Sequence, residues 1–411
     1  MVIQVATVRR CPACRSNGGG SFVADVALRT PDGHPLGNGY QVASCSVCGC
    51  GFANVPEQTS YYEQYYASLA KYANEAMIDS KLSFKSEPTD SDLEPAWISE
   101  KTDSSALRIS GLVPRLDSRI LDSGCSTGSL LAALGRLGYK DLHGVDPSAE
   151  SVFQANARAG INAEIGTFSS IPVGIGTFDL ICATGVFEHL WDVDAALEAL
   201  LPLLREDGVI YVEVPDARRY LDPYISPYED FSTEHVNHFS AISLRWLASR
   251  FGLKTISEIS YEARLTEEVL TGCVAVAWTR SSSLNIPEQR DNDLEAQLIA
   301  FAEKSVHDMA LVSEGLELAL SVSSEYIVWG VGEAALKLLA LPALNSREAV
   351  AYVDGNPTRW GFRFGGVPVM APSSISSGST PIIACSFIRA NSIVEAACRL
   401  GLINPIVRLD L

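Results

Sequence analysis

The stretch 119–148, RILDSGCSTGSLLAALGRLGYKDLHGVDPS, decides the fold. It predicts an apolar strand, a Gly-rich turn, a helix and a second strand ending in Asp146. That order builds a nucleotide-type ligand site at the carboxyl end of a parallel sheet. Asp122 ends the first strand. Gly124, Cys125, Ser126 and Gly128 form the turn, where small residues let backbone approach a ligand. The helix that follows offers free N–H groups at its start. Asp146 stands where a carboxylate can accept both hydroxyls of a ribose.

Outward from this stretch, residues 106–280 alternate strand and helix, the pattern of a parallel α/β sheet. Its apolar strands are RILDSG, DLHGVD, FDLICA and GVIYVEVP, with VAVAWTR as a late antiparallel strand. Phe168, after the third strand, is placed to stack on a base. FDLICATGVFEHL supplies the fourth strand and, from Thr184 onward, a loop beneath the rest of the ligand. Residues 1–60 are rich in Cys and Gly with short β-like runs. Residues 61–105 form a Tyr-rich helical connector. Residues 281–324 hold a linker (SSSLNIPEQR) and a long amphipathic helix, and residues 325–411 a second, smaller α/β unit.

A chain of 411 residues exceeds one ordinary core, so several domains are expected. A net charge of −18 excludes nucleic acid as the main partner, because phosphate binding needs basic stripes. The best membrane candidate, Ile327–Leu344, carries Glu333 and Lys337, so no membrane span is expected. The start, MVIQVATVRRCPAC, has no apolar core of a signal peptide. Ten cysteines without an export signal point to a cytoplasmic protein whose thiols bind metal or pack in the core.

Four of those cysteines are patterned. Cys11-Pro-Ala-Cys14 and Cys45-Ser-Val-Cys48-Gly49 form two CxxC knuckles, which suit a structural Zn2+ held by four thiolates. Gly49 permits the tight turn after the second knuckle. Cys50 is close enough to compete as a ligand, although Cys48 completes the regular spacing. A closed four-thiolate site has no open coordination position, so its metal holds structure.

The 122–128 run resembles the motif of class I S-adenosylmethionine (SAM) dependent methyltransferases, which reads D-x-G-C-G-x-G. Ser126 stands where the motif has its middle Gly. The resemblance covers residues 119–252. It implies a Rossmann-like core that binds SAM through Asp122, Gly124, Cys125, Ser126, Gly128, Asp146, Phe168 and Thr184.

The acceptor side is read from DFSTEHVNHFSAISLRWLASRFG, after the fifth strand. Glu234, His235 and His238 cluster there, and His is the natural general base near neutral pH. Packing and capping are the structural roles open to the same histidines. The zinc region, the Tyr-rich segment SYYEQYYASLAKYA, the EHxxxF segment and a C-terminal Rossmann-like unit together resemble one group. These are the three-domain C-methyltransferases acting on nucleotide-linked keto-sugars. The resemblance implies His235 as base, helped by Glu234 and by Tyr62, Tyr65 or Tyr66. A tyrosine of that group is Ser232 here. The expected partner is therefore a small-molecule acceptor, a nucleotide-linked sugar. O-methylation of a saccharide or small metabolite and a non-catalytic scaffold remain open.

WGVGEAALKLLALPAL shows Gly330-x-Gly332-x-x-Ala335 between a strand and a helix, and Asp354 ends the next strand. Alone, this is a dinucleotide fingerprint and leaves an NAD-binding oxidoreductase open. In the resembled group the unit helps form the acceptor cleft. Arg359 and Arg363 in the following Gly-rich loop suit either a diphosphate or solvent.

Overall fold

The computed structural model describes residues 3–17, 19–68, 96–264, 269–282 and 289–409. Residues 69–95 of the expected Tyr-rich connector and residues 283–288 of the expected linker lie outside the described residues. The chain divides into two compact units. One holds Met1–Phe22, Ala43–Ile225 and Glu234–Leu298; the other holds Val23–Val42, Ser226–Thr233 and Ile299–Leu411.

The strands run in chain order as β1 (Gln4–Val5), β2 (Gly20–Ala27), β3 (Gly39–Cys45), β4 (Gly51–Ala53), β5 (Arg119–Ser123), β6 (Asp141–Asp146), β7 (Ile161–Ile165), β8 (Phe178–Thr184), β9 (Leu204–Pro215), β10 (Asn237–His238), β11 (Leu253–Arg264) and β12 (Leu270–Arg280). The second unit adds β13 (Glu325–Trp329), β14 (Glu348–Val353), β15 (Arg363–Phe364), β16 (Val367–Met370), β17 (Ile382–Ala384) and β18 (Ile406–Val407).

The central sheet of the first unit has seven strands in the order β11-β12-β9-β8-β5-β6-β7. β6, β5, β8 and β9 pair in parallel, and β7 pairs in parallel with β6. β12 joins β9 antiparallel, and β11 joins β12 antiparallel. The chain leaves β5 toward β6 and later returns to β8 on its other side. That reversal opens a crevice at the carboxyl ends of the strands, where open α/β sheets bind ligands. β5 and β8 are almost wholly buried, as strands covered on both faces must be.

Helices Ser129–Arg136 and Ala149–Asn156 follow β5 and β6. The first buries Leu130, Leu131, Ala133 and Leu134 on one face, and a helix so patterned packs that face on the sheet. The second starts at a Ser148 cap whose side chain accepts from Ser151 N–H. On the opposite side, one core joins Phe178, Ile181, Val212 and Leu247 to Cys11, Ala13, Cys45 and Cys48. The cysteine knuckles are thus built into the core of this unit. β4 extends it by pairing antiparallel with β10, Phe52 opposite Asn237 and Gly51 opposite His238.

The second unit contains a sheet ordered β15-β16-β14-β13-β17-β18. β13 pairs in parallel with β14 and β17, and Trp329, Val353, Ile382 and Ile393 fill its core. All six strands of this sheet fall within residues 325–407. Among the described residues no helix is long and apolar enough to cross a membrane.

Candidate functional site

A cavity of about 250 Å³ lies at the carboxyl ends of β5, β6 and β8. Ser123, Gly124 and Ser126 supply one wall, Asp146 and Phe168 another, and His189 and Trp191 a third. Tyr62 and Tyr66, from the helix Thr59–Ser68, also face it. Gly124 has φ +86°, and a Cβ there would come within 2.6 Å of Val186 Cγ2, so only Gly closes this turn. Ser126 itself has φ +47°, the left-handed region. The resembled motif places its middle Gly at this position.

Asp146 accepts from Ser126 N–H at 2.9 Å and from Ser148 N–H at 2.9 Å. Two amides therefore fix its carboxylate at the cavity edge, and its remaining lone pairs can meet a diol. Asp122 lies one residue before the wall, 2% exposed, and its Oδ1 is buried without a hydrogen-bond partner. Burial, with Asp146 and Glu213 nearby, pushes its carboxyl up to about 7. An orphaned buried acceptor beside an amide-lined turn fits a cationic ligand such as the α-ammonium of SAM. The other three expected cofactor residues stand behind the wall. Cys125 turns into the core, its Sγ 2.5 Å from where a Cβ on Gly144 would lie. Gly128 lets its helix approach Ala155, whose Cβ is 3.1 Å from an added Cβ. Thr184 ends β8 beside Gly185, whose N–H bonds Glu213 O.

The acceptor-side residues meet next to this cavity. Tyr65 OH donates to Glu234 Oε1 at 3.0 Å, and Tyr66 OH lies 3.4 Å from Oε2. His189, which sequence reading passed over, joins them. Its Nδ1 is 3.1 Å from Glu234 O and 3.1 Å from Tyr66 OH. The carbonyl can only accept, so Nδ1 carries the proton in the neutral ring and Nε2 keeps a lone pair. The His189 and His235 rings are 4.9 Å apart at 65°. Glu188 completes the group, with Oε1 3.9 Å from His189 Nε2. Burial raises its carboxyl, and its Oε2 is buried without a hydrogen-bond partner. Glu188, His189 and His235 could together meet a metal ion. A 3.9 Å gap, however, is wider than the roughly 3.4 Å between ligands on a tetrahedral shell with bonds of about 2.1 Å. The sequence did carry a signal for His189: Glu188-His189 and Glu234-His235 are two Glu-His pairs in a chain with six histidines.

His238 stands apart from this group. It is fully buried on β10, with Nδ1 3.1 Å from Tyr220 OH. Burial, with Arg9 close by, pushes the ring down to about 3, so it is neutral near pH 7 and walled off from the cavity. The capping role at the following helix falls instead to Ser240 and Ser243, which form a reciprocal capping box.

Cys11, Cys14, Cys45 and Cys48 bring their thiols within 4.8 Å of one another. Cys11 and Cys48 Sγ atoms are 3.4 Å apart, Cys14 and Cys45 3.6 Å. Zn–S bonds of about 2.3 Å set tetrahedral sulfurs about 3.8 Å apart, so the four could hold zinc. Val47 N–H points to Cys45 Sγ at 3.4 Å. Cys50 is outside the cluster, its thiol directed to Gly51 O and His238 O.

In the second unit, Gly330 has φ +93° after β13. Asp354 accepts from Val331 N–H at 2.8 Å and Asn356 N–H at 2.7 Å, and pairs with Arg359 Nη1 at 3.0 Å. The carboxylate that would meet a ribose in a dinucleotide site is thus already engaged. Arg359 also lies over the turn, 3.2 Å from an added Cβ on Gly332. Arg363 bonds Gly366 O at the surface.

Residues 96–258 match a family described as a methyltransferase domain. Among similar proteins, the C-methyltransferase NovU of Streptomyces niveus is 29% identical over 143 residues, 33% of either chain. The ubiquinone biosynthesis O-methyltransferase of Methylocella silvestris is 31% identical over 98 residues, 23% of this chain and 38% of that one. The chain spans about a third of the length of these curated relatives. Magnesium protoporphyrin IX methyltransferase of Synechocystis PCC 6803, solved with bound SAH, aligns with 55% of this chain and 100% of its own at 14% identity and a TM-score of 0.40. The matched span contains the Gly turn, Asp122, Asp146 and the whole parallel part of the central sheet, so over residues 96–258 this chain is similar to that methyltransferase domain family.

Proposed function

We propose that the protein methylates a carbon next to a ketone, on a nucleotide-linked sugar, with SAM as donor. The observation that carries this reading is the convergence of Tyr65, Tyr66, Glu234, His189 and His235 beside the cavity. When bound, SAM supplies an electrophilic sulfonium methyl. Transfer to oxygen needs little beyond positioning and one proton acceptor. Transfer to carbon needs more, because a C–H beside a ketone is a poor nucleophile until a base removes its proton and a donor holds the enolate oxygen.

His235 takes the base role and Glu234, in contact with both tyrosines, steadies the imidazolium charge that results. A tyrosine hydroxyl turned from Glu234 can donate to the enolate oxygen. The C–H electron pair then forms the new C–C bond as the C–S bond breaks, leaving S-adenosylhomocysteine (SAH) and a proton on histidine. The name of the Streptomyces niveus relative supports carbon as the acceptor. O-methylation is the second reading, favoured by the names of the ubiquinone-pathway relatives. Zn2+ on the four-cysteine cluster holds structure in either case.

Deuterium uptake separates the two. A keto-sugar nucleotide incubated with the enzyme and SAH in heavy water should exchange its proton next to the carbonyl. His235→Ala should slow that exchange by about 10²–10⁴-fold, the usual worth of a positioned base. No exchange with any keto-sugar nucleotide would remove the carbon reading and leave oxygen.

A further inference from the structure

Two short segments carry the facing histidines: residues 187–191 after β8 and residues 234–238, which end in β10, before the helix Ala241–Arg250. Neither is held by sheet pairing to the other, yet their rings meet at 4.9 Å. The group that joins them is Asn237, 1% exposed. Its Nδ2 donates to Phe187 O at 2.7 Å and to Leu190 O at 2.7 Å, bracketing His189 on both sides. Its Oδ1 accepts from Arg9 Nη2 at 3.1 Å. Arg9, 5% exposed, also donates to Trp191 O at 2.7 Å and Val236 O at 3.4 Å. Its guanidinium lies 5.3 Å over the Trp191 ring and 5.8 Å from that of Phe52. Val236 N–H to Glu188 O, 2.8 Å, adds one backbone link.

We propose that Arg9 and Asn237 are positioning residues, a buried clamp that sets the spacing of His189 and His235 and, through Leu190 and Trp191, one wall of the SAM cavity. This rests on the functional reading above. The physical case is that an amide has both donors and an acceptor in one plane, so it can bind two carbonyls of one segment and a cation at once. Only a planar guanidinium can then reach carbonyls of both segments while stacking on Trp191. Arg9 precedes Cys11 by two residues, so the first cysteine knuckle delivers it. A buried polar network of this kind is satisfied as a whole or costs stability, and it fixes one geometry.

The test uses the full zinc-loaded chain, saturated with SAH, carrying isotope-labelled histidine. Asn237→Asp keeps the shape and the acceptor for Arg9 but removes both amide donors. Arg9→Met removes the guanidinium, and Arg9→Lys keeps its charge. Each should move the titration midpoints of His189 and His235 in ring NMR and weaken SAH binding by about tenfold, near the worth of one buried hydrogen bond to a charged or well-aligned partner. Lysine should not rescue. Ser240→Ala, equally buried and bonded to Asp291, serves as control and should lower melting temperature without moving either readout. Folded variants with wild-type titrations and wild-type SAH affinity would overturn the clamp. So would misfolding of all three beside a folded control, because the pair would then serve the core alone. Wild-type protein that ignored SAH would instead sink the methyltransferase reading, and the histidine titrations need no acceptor.

Discussion

Asp122 shows what one side chain contributes. Its carboxyl lies above its ordinary value, so between about pH 4 and 7 the folded chain holds a proton the unfolded chain has released. Stability from this group is therefore lost as pH rises through about 7. A cation at the orphaned Oδ1 reverses the preference. SAH, with its ammonium, should bind best above pH 7 and weaken by up to about tenfold per unit below it. Calorimetry across that range, with Asp122→Asn as the flat reference, reads the effect; identical profiles would show that the oxygen meets no cation. Asp122 and Asp146 were legible because each ends an apolar run, a local pattern. For His189 the sequence carried only the Glu-His pairing and not its surroundings, because these depend on Glu234, Tyr66 and His235, residues far from it in sequence.

At the scale of elements, the turns matter most. Gly49 closes the second knuckle with φ +81°, and a Cβ there would lie 2.3 Å from Asp291 O. Gly49→Ala should cost at least the 1–2 kcal/mol of a left-handed alanine, plus the backbone shift, and should loosen the four thiols. A lower melting temperature with weaker zinc retention under chelator would be the reading; unchanged zinc retention would show that the knuckle tolerates the shift. The Gly330 turn makes the opposite point. Its spacing alone suits a dinucleotide, but Asp354 is bonded to Val331, Asn356 and Arg359. Calorimetry should give binding heat with SAH and none with NAD; heat with NAD would require the Arg359 pair to open. Sequence spacing describes a turn's shape. Which carboxylate is free depends on neighbours that spacing cannot report.

Across the whole molecule, the expected zones and the compact units divide the chain differently. Residues 23–42 and 226–233 fall with the C-terminal segment, while both cysteine knuckles fall with the seven-stranded central sheet. Arg250 bonds Ala13 O at 3.1 Å and pairs with Asp194, which Arg15 Nε meets at 2.7 Å. Cys48 O accepts from Asp291 N–H at 2.9 Å. Stripping the metal should therefore lower the melting temperature of the core, not release a loose tail. A loss of about 3 kcal/mol would move it by roughly 6–12 °C for a unit of this size. Metal analysis should return one zinc per chain, and a chelator that left the transition unmoved would separate the cluster from the fold. What the sequence by itself determined was the local grammar: strands that end in Asp, a Gly turn between them, and paired CxxC knuckles. Each is written within about thirty residues, where backbone geometry and ligand spacing act directly. Only the tertiary structure decided which groups face one another. Tyr65 reaches Glu234 across 169 positions and Arg9 reaches Asn237 across 228. Such meetings are set by how sheets and loops pack, and no periodicity along the chain encodes them.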